Sequence, residues 1–197
     1  MIRAARSDDR DAIERIYPKA FPDEDLLPLV GELIALGDAV VSLVAEFDSK
    51  IVGHVVFTPC RVEGFDVRVD LLGPLCVDPD HHRAGMGTAL VQTGFEVISK
   101  VGSVASFVLG DPGYYSRFGY TTERSVVTPY PLPPDWYGAW QSLVLDNDAP
   151  ALSGKLVVPP VWDHHHWWSD WRCRSAIVFD ARLFFATPEE RSRSSAG

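Results

Sequence analysis

Two glycines one residue apart, Gly85 and Gly87, stand in the stretch DHHRAGMGTAL between a short polar bend and a run of helical character. A strand that delivers the chain into such a bend, with a helix starting there, aims several free backbone N–H groups at one point. The positive end of the helix dipole adds roughly half a unit charge, so that point attracts phosphate. Glycine lacks a Cβ and lets an anion come close to the main chain, and Arg83 adds a full charge beside it. The plainer reading is a turn and helix start with no ligand. A dinucleotide fingerprint would need a third glycine where Leu90 stands, and a P-loop would need a Gly-Lys-Ser/Thr that does not occur.

A second stretch that invites chemistry is DHHHWWSDW. Three consecutive histidines cannot all face one ion on regular structure, because neighbours point to opposite sides of a strand and diverge by about 100° on a helix. His164, His166 and Asp163 or Asp170 would bind zinc only from a loop, and no metal is expected. Trp162, Trp167, Trp168 and Trp171 are expected to pack a C-terminal extension onto the core, or onto a second subunit in a homodimer. Cys60, Cys76 and Cys173 are few, odd in number and far apart, which suggests buried thiols rather than a disulfide framework.

The elements that must position these groups follow from periodicity. IRAA reads as a strand and SDDRDAIERIYPKAF as a helix with Ser7 as N-cap; a second helix covers DEDLLPLVGELIAL, interrupted or begun by Pro28. AVVSLVAEF, the turn DSK and IVGHVVFTPCRV make a hairpin, and VRVDLLGPLCV adds a strand. TALVQTGFEVISKV is helical, VASFVLG a strand buried on both faces, and DPGYYSRFGY a short helix ending at Gly119. WQSLVLD and GKLVVPPVW are two later strands, and an apolar SAIVFDARLFFAT precedes a polar tail. Strands and helices therefore alternate around a mixed sheet. The expected organisation is one domain over residues 1–160, with 161–197 an extension packed on it.

The chain has 197 residues, 46% of them hydrophobic, enough for one good core. With 18 Lys plus Arg against 27 Asp plus Glu its net charge is −9, which disfavours nucleic-acid binding. The start, MIRAARSDDRD, has no apolar run behind its basic residues, and no stretch approaches the roughly 18 apolar residues of a membrane span. A cytoplasmic protein without a membrane partner is expected.

GPLCVDPDHHRAGMGTALV resembles the acetyl-CoA pyrophosphate loop of the GCN5-related N-acetyltransferase (GNAT) superfamily, whose pattern is Gln/Arg-x-x-Gly-x-Gly/Ala after a strand ending in Val-x-Pro. Val77, Asp78 and Pro79 match the approach and Gly85 and Gly87 the glycines, while His82 stands where Gln or Arg is usual. The opening IRAARSDDRDAIERI and the later LGDPGYYSRFGY, with Tyr115 four residues before the Gly119-Tyr120 pair, extend the likeness to about residue 160, in particular to the bacterial YhbS-like subgroup.

The resemblance implies an α/β GNAT fold: a mixed, mostly antiparallel twisted sheet flanked by helices, with a V-shaped splay between the fourth and fifth strands. It implies acetyl-CoA as co-substrate, bound by Leu75, Cys76 and Val77 of the fourth strand and by His82, Arg83, Ala84, Gly85, Met86, Gly87 and Thr88 of the loop. Gly73 and Pro74 suit interrupted pairing, and Cys76 reads as packing rather than a nucleophile. Tyr115 would meet the departing sulfur, with Tyr114 as the alternative donor. Asp70, Glu46 and His54 are candidate general bases, each with a structural role as the alternative.

The acceptor would be a small-molecule amine, entering near Phe21 to Leu27 and residues 129–140, where Asp23, Glu24 and Asp25 suit a cationic amine. A protein lysine or N-terminus is the variant target, and a non-catalytic acyl-CoA sensor is the rival that His82 keeps open.

Overall fold

The computed structural model describes residues 1–169. Its elements in chain order are β1 (Ile2–Ala4), α1 (Arg10–Ala20), α2 (Leu27–Ala35), β2 (Val41–Phe47), β3 (Lys50–Val62), β4 (Arg68–Val77), α3 (Met86–Lys100), β5 (Ser103–Leu109), α4 (Pro112–Tyr115), β6 (Thr121–Thr122), β7 (Val126–Val127), β8 (Trp140–Val144), β9 (Gly154–Val157) and α5 (His166–Ser169). The strands form one sheet in the order β1-β2-β3-β4-β5-β8-β6, with β9 on β3 and β7 on β9. Along the main order every neighbour is antiparallel except β4 and β5.

Local chemistry explains most boundaries. The β2–β3 hairpin closes on Phe47 opposite Lys50, so its loop is Asp48 and Ser49 alone, with φ of 47° and 59°. Two successive positive φ values make the turn whose twist suits a two-residue hairpin. Pro28 falls in the first turn of α2, where its missing N–H costs nothing, and the helix starts at Leu27 rather than at Asp23. Ser7 is not the cap expected. Residues 7–9 form a short 3-10 turn, and the Asp9 carboxylate accepts from the Arg6 N–H at 2.8 Å while pairing with Arg3 at 2.6 Å. One acid thus closes the turn before α1 and ties it to β1.

Alternation along β3 sorts the two faces of the sheet. Gly53 and Phe57 meet Leu90 and Gly94 of α3 on one side. His54 meets Tyr17 of α1, and Thr58 meets Trp162, on the other. β5 is buried along nearly its whole length, with its two serines hydrogen-bonded, Ser103 to the Ala105 carbonyl and Ser106 to Tyr120. Among the described residues, no helix is long and apolar enough to cross a membrane. The predicted strand after residue 175, the tail, Cys173, Asp170 and Trp171 lie outside the described residues.

Candidate functional site

The site begins where two strands part. β4 and β5 run parallel and pair from Arg68 opposite Ser103 to Leu71 opposite Phe107, yet β4 continues to Val77. On its other edge β4 stays bonded to β3, with Val55 opposite Leu75, His54 opposite Cys76 and Gly53 opposite Val77. From Leu72 to Leu75 it takes one residue more than β3 does between Phe57 and Val55, a bulge at Gly73 and Pro74. The expected interruption is therefore present.

Register fixes which backbone groups face the opening. The Asp78 N–H donates to the Val52 carbonyl at 2.8 Å, so it points towards β3. Alternation then turns the amides and carbonyls of Leu75 and Val77 away from β3, into the space β5 has left. The Val77 carbonyl is met there by His82 Nε2 at 2.9 Å. An imidazole N–H supplies the donor that a Gln amide or Arg guanidinium would carry, so the residue that departs from the family pattern still pins the end of the strand.

Past Val77 the chain enters the glycine bend under local control. Asp78 accepts from the Asp80 N–H at 3.1 Å, which starts the short turn at Pro79–His81, and binds Lys19 of α1 at 2.9 Å. Burial pushes the Asp78 carboxyl up, but Lys19 and the Asp80 N–H outweigh it and hold it below its ordinary value. Arg83 and Gly85 then take left-handed φ of 61° and 79° on either side of Ala84. For arginine this is a costly conformation, of the kind that gathers at ligand sites.

Gly85 is the N-cap of α3 and carries no side chain to cap it. Among the described residues no protein acceptor engages the N–H groups of residues 83–88. A Cβ at Gly85 would meet nothing within 4 Å, so the cradle is open to a ligand. Donors, dipole and Arg83 fit a diphosphate.

The missing side chain at Gly87 also makes room for a ring. A Cβ there would stand 2.7 Å from the Tyr114 hydroxyl. Tyr114 and Tyr115 are perpendicular, with ring centroids 5.0 Å apart, and they diverge. Tyr114 leans on the first turn of α3. Tyr115 is turned inward against Tyr120, whose hydroxyl is 2.6 Å from Ser106 of β5. Burial, and then the neighbouring tyrosines, push the Tyr115 phenol well above its ordinary value, so it is a neutral donor.

The opposite face of the opening is aromatic. Trp162 lies 3.7 Å from where a Cβ on Gly73 would be, and its Nε1 donates to Thr58 Oγ1 at 3.0 Å. Trp168 donates to the Trp162 carbonyl at 2.9 Å and reaches Trp140, which stacks on Phe107 at 5.5 Å. These rings form an arc from the bulge of β4 to β5. Sequence reasoning expected packing from the tryptophans but gave no sign of Thr58, 104 residues away, as the partner of Trp162.

The three candidate bases are all committed elsewhere. Asp70 is buried in the paired part of β4 and holds Arg68 through two bonds of 2.9 Å. Glu46 pairs with Arg3 at 2.9 Å, and its strand neighbours are β1 and β3. His54 is wholly buried, with Nδ1 at 2.8 Å from the Tyr17 hydroxyl and Nε2 at 2.9 Å from Ser42 Oγ. Burial holds its pKa down to about 3.

Cys76 lies against Tyr17, and burial pushes its thiol up, away from any nucleophilic role. The rings of His164 and His166 are 5.7 Å apart, while His165 bonds Ser169 and faces Tyr130. No group of three metal-ligating residues occurs among the described residues.

Comparison with known proteins places this geometry. Residues 1–122 match the acetyltransferase (GNAT) domain family. The N-acetyltransferase YjhQ of Escherichia coli is 30% identical over 155 residues, which cover 75% of this chain and 86% of the relative. The crystal structure of the GNAT family N-acetyltransferase YhbS from E. coli in complex with CoA superimposes with a TM-score of 0.73 at 28% identity, covering 83% of this chain and 92% of that one. A GNAT family acetyltransferase from Brucella melitensis in complex with acetyl-CoA gives a TM-score of 0.66 at 27% identity, covering 83% of this chain and 97% of that one. The parted strands, the uncapped helix and these matches agree: the chain belongs to the GNAT family of acetyltransferases.

Proposed function

We propose that the protein transfers an acetyl group from acetyl-CoA to the amine of a small molecule by direct attack in a ternary complex. One observation carries this reading: the backbone of Leu75 and Val77 that faces away from β3 leads, through the bend at residues 78–85, to the uncapped N-terminus of α3. The edge of β4 that β5 leaves unpaired gives an extended amide-bearing arm a strand to pair with, and residues 83–88 give a diphosphate its donors. Cys76 contributes main chain only. Acetyl-CoA supplies the acyl thioester; the neutral amine forms the new C–N bond as the C–S bond breaks, CoA leaves as the thiolate, and the proton the nitrogen sheds passes to solvent water.

Tyr115 would serve the departing sulfur. A phenol of ordinary pKa about 10 facing a thiolate of about 8.5 gives up its proton uphill by about 2 kcal/mol, and burial makes that transfer harder still. Its part is then a hydrogen bond to the thiolate, with the proton kept on the phenol oxygen.

The test is release of free thiol from acetyl-CoA across a panel of small amines and lysine peptides, repeated with Tyr115→Phe. A small amine that stimulates release in the wild type, with turnover much reduced in the variant and acetyl-CoA affinity little changed, is the expected result. Binding of CoA without stimulated release by any amine would instead favour a sensor.

A further inference from the structure

We propose that Tyr114 is a ligand of the acetyl-CoA diphosphate, its hydroxyl donating to a phosphate oxygen over the first turn of α3, with Arg117 positioning the ring. The assignment rests on the acetyl-CoA reading above and goes beyond it, since the glycine loop accounts for diphosphate binding through main chain and Arg83 alone.

Geometry puts the hydroxyl there. It stands 2.7 Å from the position a Cβ on Gly87 would take, and that same position is 3.6 Å from Val77 Cγ2. Gly87 is the second residue of α3, so the phenol lies beside the unengaged N–H groups and next to the last residue of the β4 edge that β5 leaves unpaired. The bulge at Gly73 and Pro74, where the edge begins, is three residues from Val77, or roughly 10 Å at a strand's rise of about 3.3 Å per residue. Tyr114 therefore belongs to the phosphate end of the cleft.

The ring is also held in place. Arg117 lies over it at 4.6 Å from the ring centroid and donates from Nε to the Tyr114 carbonyl at 2.9 Å. Tyr115 and Phe118 pack edgewise against it, with centroids 5.0 and 5.5 Å away. A phenol fixed this way pays little conformational entropy when it bonds a ligand, and a bond from a neutral donor to a phosphate is among the stronger ones. The absence of a side chain at Gly87 is what lets the hydroxyl reach that surface.

The discriminating measurement compares kcat/KM for acetyl-CoA and for S-acetylpantetheine, which lacks every phosphate, in wild type, Tyr114→Phe and Arg117→Ala. Tyr114→Phe should lower kcat/KM about tenfold for acetyl-CoA, the scale of one hydrogen bond to a charged group. It should leave the value for S-acetylpantetheine and kcat at saturating acetyl-CoA unchanged, with Arg117→Ala showing the same selective loss. Equal losses with both thioesters would mean that Tyr114 supports the fold of the cleft or serves the departing sulfur, and no loss with either would remove it from the site; each result overturns the proposal. A wild type that binds no CoA in titration would instead overturn the acetyl-CoA reading, and that outcome is separable because it needs no variant.

Discussion

Gly94→Ala should destabilise the protein although it improves the helix. Gly94 is interior to α3, where alanine is ordinarily better by about 1 kcal/mol. Here an added Cβ would stand 2.1 Å from Phe57 Cε2, 2.3 Å from Cζ and 3.0 Å from Cδ2. Carbon atoms sit comfortably at about 3.5–4.0 Å, so the ring and the helix must separate by more than an ångström. Phe57 is fully buried and lies edgewise against Phe95 at 6.1 Å, which leaves the ring no free space to move into. Overpacking of this kind costs about 1–3 kcal/mol, and contact this severe belongs at the upper end.

Net of the helix gain, a loss of about 2 kcal/mol is expected, a fall in Tm of roughly 4–8 °C for a chain of this length. Phe57→Leu withdraws the ring atoms that clash, at the cost of a void worth about 1–2 kcal/mol. In that background Gly94→Ala should become neutral or stabilising. The assay is thermal and urea unfolding of the four proteins of the cycle, with CoA affinity measured in parallel, since parting α3 from β3 also shifts the cradle at its N-terminus. A Gly94→Ala protein as stable as wild type, or two substitutions whose effects simply add, would refute the reasoning.

Gly87→Ala should lower stability by about 1 kcal/mol in the wild type, because the Tyr114 hydroxyl must give way, but not in a Tyr114→Phe background, where the nearest remaining atoms are 3.6 and 3.9 Å away; unfolding midpoints of the four proteins decide this. His54 is held neutral to about pH 3 by burial, while an unfolded histidine takes up a proton below about 6.5. Stability should therefore be fully present above pH 6.5 and fall as pH drops towards 3, by up to about 1.4 kcal/mol per pH unit. His54→Gln should flatten that slope between pH 4 and 6.5, and parallel profiles would contradict it. Cys60 and Cys76 are buried thiols with raised pKa values, so neither should react with iodoacetamide at pH 8 in the native protein and both should in urea, as peptide mass mapping would report.

What could be read ahead of the structure was whatever the backbone itself must do. Residues Asp48 and Ser49 close a two-residue hairpin, Gly85 takes a left-handed φ, and Gly73-Pro74 interrupts a ladder, and each leaves its mark at the position where it acts. Helix starts were less secure. Ser7 looks like a cap, yet it is the Asp9 carboxylate that holds the turn before α1, through the Arg6 N–H and Arg3 on β1. The choice between two polar residues two positions apart is made by a strand partner that no local pattern contains.

Side chains that meet across the fold left no such mark. Nothing near Gly94 names Phe57, nothing near Gly87 names Tyr114, and the Trp162 bond to Thr58 spans most of the described chain. Asp70, Glu46 and His54 looked available as bases because their strands were identified but their neighbours were not; Arg68, Arg3, Tyr17 and Ser42 had already taken them. The same division runs through the active site. The end that would hold the cofactor is made of main-chain amides and a parted strand, so glycine, proline and strand pattern betray it. The aromatic arc beside it is made of rings drawn from β8, the 160–162 turn and α5, and only their meeting in space gives it a shape.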